Sequence, residues 1–205
     1  MITVVIMVIT ALISILAFNN SELFGKISLQ PYMIQHRKEW YRVFTHAFVH
    51  ADWTHLAINM LVLYSFGRFV EISFASIWGL KGFFWYVILY TGGILFSVVY
   101  SLQHHKNNPA YSAVGASGAV SAIVFASILL NPGGGIRFIF FPFFDIPSFV
   151  FGGIYLIYSA VMAKKANDHI AHDAHFFGAV FGFIFPIILK PALVLHFFNS
   201  IMNIF

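Results

Sequence analysis

Ala113-Val114-Gly115-Ala116-Ser117-Gly118-Ala119-Val120-Ser121-Ala122-Ile123-Val124-Phe125-Ala126-Ser127-Ile128-Leu129-Leu130 runs for 18 residues without one ionisable side chain. A helix of about 17 to 25 apolar residues covers the hydrocarbon thickness of a bilayer, so this stretch reads as a membrane span. Its start differs from its body, because Ser117 stands beside Gly118 and two residues after Gly115. Gly118, Ala122 and Ala126 then recur at every fourth position, a ridge of small side chains that lets a second helix approach closely. Five further apolar runs flank it, at 2–18, 53–70, 83–102, 147–162 and 174–189. The expectation is therefore an all-helical polytopic membrane protein of six spans, a single domain over 1–205 with no soluble module. Most connections are short and hold the punctuation, such as Asn107-Asn108-Pro109, Asn131-Pro132-Gly133-Gly134-Gly135 and Lys164-Lys165-Ala166-Asn167-Asp168. The exception is 19–52, where Lys26, Arg37, Lys38, Glu39 and Arg42 mix with Trp40, Tyr41, Phe44 and Phe48. Such a mixture suits a partly structured loop lying in the membrane interface.

Composition agrees with that reading. The 205 residues are 60% hydrophobic, 19% aromatic and 9% charged, with a mean hydropathy of +0.85. A soluble domain carries about 25% charged residues to wet its surface, so lipid must be the solvent for most of this one. Cysteine is absent, which excludes disulfides and thiolate-held metal. The net charge of +4 comes from 11 basic residues scattered among apolar runs, and it makes no stripe for nucleic acid. The ten histidines outnumber the seven acids, so imidazole chemistry is worth seeking.

Polar residues inside spans are costly and mark function. Here they open alternate spans: His50, Asp52, His55 and Asn59 at the second, Gly115 to Gly118 at the fourth, and His169, His172, Asp173 and His175 at the sixth. Spans two, four and six run in the same direction, so the three clusters share one membrane face. His55 and Asn59, four apart, lie on one helix face. Gly178 and Gly182 form a second ridge, with His175 on the same side. If the two ridges meet, His175 is carried against Ser117, which is a hydroxyl nucleophile beside an imidazole base. The His55 ring N–H, the Asn59 amide and the Ser117 backbone N–H are then candidate donors to an oxyanion. Asp173 stands two residues from His175 and faces another side of the helix, so a dyad is expected instead of a triad. His46 and His50 read as structural hydrogen-bonding groups of the loop, and His104, His105 and His196 as wetted residues.

Three ordered motifs now carry a resemblance. Glu39 to Met60, with Trp40, Arg42, His55 and Asn59, is similar to the Trp-Arg loop and His-xxx-Asn helix of the rhomboid intramembrane serine proteases. Gly115-Ala116-Ser117-Gly118 resembles that family's nucleophile motif, and His175 with Gly178-xxx-Gly182 resembles its catalytic-histidine helix. The resemblance implies Ser117 as nucleophile, His175 as general base, and His55 with Asn59 as oxyanion donors. It implies that Gly115, Gly118, Gly178 and Gly182 support the site, and that no cofactor or metal takes part. Implied partners are transmembrane segments of other proteins, within the lipid bilayer and cut near the outer face. Glu71 resembles a family position that ties the inner end of the second helix to its neighbours. The chain departs from the family at Ser121, where many members carry an aromatic residue beneath the catalytic histidine, and at Phe176-Phe177, where many have a small residue.

Two other readings compete. A membrane metal centre would use His169, His172, Asp173 and His175 with His50, Asp52 and His55, residue types that such ions accept. It leaves Asn59 and Gly115 to Gly118 without a role. A helix-binding relative without activity is at odds with the presence of both Ser117 and His175. The absence of a transit-type leader and of appended domains points to a bacterial plasma membrane.

Overall fold

The structure, a computed structural model, describes residues 1–138, 141–165 and 171–204. Its helices are α1 (Ile2–Phe18), α2 (Ser21–Ile27), α3 (Pro31–Arg37), α4 (Arg42–Thr45), α5 (Trp53–Trp78), α6 (Leu80–His104), α7 (Ser117–Leu130), α8 (Ser148–Lys165), α9 (His172–Leu189) and α10 (Ala192–Met202). A short antiparallel hairpin of β1 (Gly135–Phe138) and β2 (Phe141–Pro147) joins α7 to α8.

Most of the apolar stretch 113–130 forms the central helix, α7. Nearly every side chain of α7 after Ser117 is buried, from Gly118 to Leu129, with α5, α6, α8 and α9 packed around it. Its 14 residues span about 21 Å, short of a hydrocarbon layer of about 30 Å. The expected helical start at 113 is corrected, because residues 113–116 are not helical. Ala113 pairs instead with Leu29 of the long loop, through N–H···O bonds of 2.9 and 3.0 Å. Gly115 then takes a φ of +116°, which breaks the helix and is open to glycine at little cost. Helix α7 therefore begins at the nucleophile candidate itself, Ser117.

Among the described residues α5, α6 and α9 are long and apolar enough to cross a membrane, while α1, α7 and α10 are apolar but shorter. Only part of the six-span expectation is therefore met by length and hydropathy. The hairpin and α10 lie outside the spans read from the sequence. Inside, Leu63, Val70, Phe74, Tyr86, Leu89 and Ile123 form the core. Outside, Leu12, Leu16, Ile58, Ile157 and Ile188 are exposed, an apolar coat suited to acyl chains and unlike a soluble surface.

Two polar anchors hold this arrangement together. Glu71 on α5 accepts from Ile2 N at 2.7 Å, Thr3 N at 3.1 Å and Thr3 Oγ1 at 2.6 Å. A carboxylate thus caps the positive end of α1, where the first N–H groups lack intrahelical acceptors. This is the tie expected of Glu71. Arg42, buried at 4% exposure, donates Nε to Glu39 Oε2 at 2.6 Å and Nη1 to the Gly25 and Ser28 carbonyls at 2.7 and 2.9 Å. The 19–52 loop is folded around this guanidinium and is more ordered than a partly structured loop.

Candidate active site

Small residues bring α7 and α9 together. A Cβ added at Gly178 would collide with the Gly118 carbonyl, and one at Gly182 with the Ala122 carbonyl. The backbones therefore touch, and the two ridges, which the spacing left free to pack anywhere, meet each other. This contact delivers His175, in the first turn of α9, to Ser117, the first residue of α7. The His175 Nε2 to Ser117 Oγ distance is 2.8 Å, a hydrogen bond. Gly118 supports a second close approach, with Ser97 of α6.

Helix α5 contributes His55 and Asn59. Asp52 caps α5 by accepting the His55 N–H at 2.8 Å, which fixes the helix start. The His55 Nδ1 accepts, at 3.4 Å, from the Ala51 N–H, so the ring proton sits on Nε2. That edge faces Gly115, where an added Cβ would lie 2.7 Å from His55 Cε1 and 2.9 Å from Nε2. Asn59 is buried at 5% exposure and spends one amide N–H on the His55 carbonyl at 2.9 Å. Its second N–H is left for another acceptor.

Asp173 faces away from the imidazole, as its position on the helix predicts. Its carboxylate accepts from Ser101 Oγ of α6 at 2.7 Å, and Tyr111 Oη lies 3.0 Å from the same hydroxyl. Of the metal reading, His169 lies outside the described residues. Among the described residues no three His, Cys, Asp or Glu side chains gather in a way that could hold an ion.

Two residues of the site do more than the sequence showed. One is His50, which makes structural hydrogen bonds as expected, but to the nucleophile's own turn. Ser14 Oγ donates to the Phe48 carbonyl at 2.9 Å and so accepts from His50 Nδ1 at 3.0 Å, which leaves Nε2 to accept the Ala116 N–H at 3.3 Å. His46 works in parallel, since its carbonyl accepts the Gly115 N–H at 2.9 Å. Burial pushes His50 down to about 3 and His46 down to about 4, so both are neutral near pH 7. The recurrence of His at 46, 50 and 55 is the available signal, but nothing in it points at residue 116. The other is Tyr155 of α8, whose hydroxyl lies 2.7 Å from Ser121 Oγ and whose ring lies beside His175. No spacing in the fifth span distinguishes it from Tyr158.

Comparison with known proteins gives the family. Residues 37–192 match the Rhomboid domain. RHOMBOID-like protein 12, mitochondrial, of Arabidopsis thaliana is 32% identical over 151 residues, covering 66% of this chain and 42% of that protein. Rhomboid-like protein 11, chloroplastic, of the same plant is 35% identical over 100 residues, covering 49% of this chain and 32% of that protein. The chain thus spans less than half the length of either relative. Both relatives are named for plant organelles, so they lend no support to the bacterial plasma membrane expected from the sequence. The matched stretch contains the whole constellation of His55, Asn59, Ser117 and His175, and the chain belongs to the rhomboid family of polytopic helical membrane proteins.

Proposed function

We propose that this chain is an intramembrane serine endopeptidase that hydrolyses peptide bonds in transmembrane segments of other proteins. The observation that carries the reading is the 2.8 Å contact between His175 Nε2 and Ser117 Oγ, at the start of the buried central helix. In the first step Ser117 Oγ attacks the scissile carbonyl while His175 Nε2 takes the hydroxyl proton. The negative oxygen is met by the His55 Nε2–H, the free Asn59 amide N–H and the Ser117 backbone N–H, which as a first-turn group has no intrahelical acceptor. His175 then returns the proton to the leaving amine, and the C–N bond breaks to leave an acyl-enzyme. Water, deprotonated by His175, attacks the ester, and Ser117 recovers its proton as the new carboxyl terminus departs. No metal or cofactor is needed for any of these steps.

The membrane arrangement belongs to the same proposal. Helices α1, α5, α6, α7, α8 and α9 make six crossings as one domain over 1–205, with the short α7 reaching the full depth only together with the segment before it. The site then lies near the outer face, where water can reach it. The host membrane, bacterial or organellar, follows the cell of origin. Purified protein in detergent, mixed with a single-span substrate, is expected to cleave it. Ser117→Ala and His175→Ala should each abolish cleavage, and a fluorophosphonate should label the parent chain but not Ser117→Ala. Cleavage that survives either change overturns the dyad, and inhibition by a chelator without labelling would favour the metal reading.

A further inference from the structure

The family resemblance leaves one position open. At Ser121, one turn after Ser117, many relatives carry an aromatic ring beneath the catalytic histidine. In this chain α7 offers only a small hydroxyl, buried at 4% exposure. The space is filled from another helix. Tyr155 of α8 lies almost parallel to the His175 imidazole, with ring centroids 6.4 Å apart and planes at 27°. Its hydroxyl meets Ser121 Oγ at 2.7 Å. Its other sides are packed by Phe125 of α7 at 5.6 Å and Phe151 of α8 at 5.8 Å, both tilted. The small side chain at 121 is thus what admits the phenol, and the hydroxyl contact sets how far the ring enters.

The consequence depends on how α8 is held. Among its described residues only Ser148, Gly152 and Ser159 are buried, whereas α7 is buried along almost its whole length. Helix α8 is therefore a lightly packed wall of the site; its first residue, Ser148, donates to the Asn131 and Pro132 carbonyls at the far end of α7, and Tyr155 with Ser121 is its polar tie beside the site. Imidazole rotation about its χ angles is what would spoil the 2.8 Å contact with Ser117, and a flat ring alongside restricts that rotation.

We infer that Tyr155 is a positioning residue, which takes the part of the ring missing at position 121 and makes the alignment of His175 with Ser117 conditional on α8 being docked against α7. The inference rests on the serine-protease reading of the site. It assigns Ser121 a partner role, as the acceptor or donor that holds the phenol in place. Removing the ring should slow the chemical step more than it weakens substrate binding, because Tyr155 acts through His175 and contacts no reacting atom.

The test is the kinetics of Ser117 phosphonylation by a fluorophosphonate, split into binding and inactivation constants, together with kcat and KM on a single-span substrate and thermal unfolding in detergent. Tyr155→Phe keeps the ring and loses the tie, and should reduce the inactivation rate constant a few-fold, as should Ser121→Ala. Tyr155→Leu should reduce it tenfold or more with the binding constant changed little. The double variant Ser121→Tyr/Tyr155→Leu, which moves the ring to α7, should recover most of the lost rate. The inference is overturned if Tyr155→Leu reacts at the parent rate, if its loss lies wholly in binding, or if the folded double variant is no faster than Tyr155→Leu. Should Tyr155→Leu not fold, Tyr155→Phe and Ser121→Ala decide, and parent rates in both overturn it. Failure of the parent chain to be labelled at Ser117 would instead refute the protease reading itself.

Discussion

Gly115 is the position where a single atom decides most. Its φ of +116° belongs to a region that L side chains rarely adopt, and an added Cβ would press within 2.7 Å of the His55 ring. Gly115→Ala is therefore expected to displace both the Ser117 turn and the His55 donor, and cleavage should fall by at least about 100-fold, the loss typical of one missing oxyanion donor. The chain should still fold, since the α7–α9 contact is untouched; retained activity would contradict the placement. Asn59→Ala and His55→Ala test the donors singly. Each should lower kcat by roughly 100- to 1,000-fold with a smaller change in KM, read on a single-span substrate. His55 and Asn59 were legible because polar groups in apolar runs are rare and both stand near a helix start. The direction of the Asn59 amide was not legible, because one of its N–H groups turns back to the His55 carbonyl.

Helix contacts decide whether those side chains meet at all. The α7–α9 ridge has no room for a Cβ at Gly182 against Ala122. Gly182→Leu should force the helices apart, lowering the unfolding temperature in detergent and abolishing phosphonate labelling, whereas Phe183→Leu beside it should be mild. The ridge was readable from its four-residue period. The entry to α7 was not, because it depends on Leu29 and Ala113, 84 residues apart in the chain, pairing across the site. That entry has its own pH dependence. His50 lies outside the spans, and burial chiefly, helped by nearby His55 and opposed by Asp52, pushes its pKa from the ordinary 6.5 to about 3. Between those values the unfolded chain binds the proton and the folded chain does not. The contribution of His50 is thus complete above about pH 6.5 and is lost as pH falls toward 3. Unfolding temperature should drop as pH is lowered from 6.5 to 4, with a shallower drop in His50→Gln, which cannot take up that proton.

Across the whole molecule, the site sits at one end of the bundle and Glu71 holds the other. Its carboxylate accepts three hydrogen bonds from α1, and removal leaves buried donors unpaired at a cost of about 1–3 kcal/mol. Glu71→Ala should therefore lower the unfolding temperature while leaving the inactivation rate of the remaining folded enzyme near the parent's; a large rate loss at full stability would mean the two ends are coupled. The sequence by itself determined what local chemistry can determine: an apolar chain in need of lipid, the ridges of small residues, and four polar groups near helix starts. These follow from composition and from the 3.6-residue period, which any reader of the chain can apply. The tertiary structure alone decided that α7 starts at Ser117, that His50 accepts the Ala116 N–H, and that the Tyr155 hydroxyl meets Ser121 with its ring near His175. Each of those joins residues remote in the chain through a side chain whose partner is selected by packing, and no periodicity encodes it.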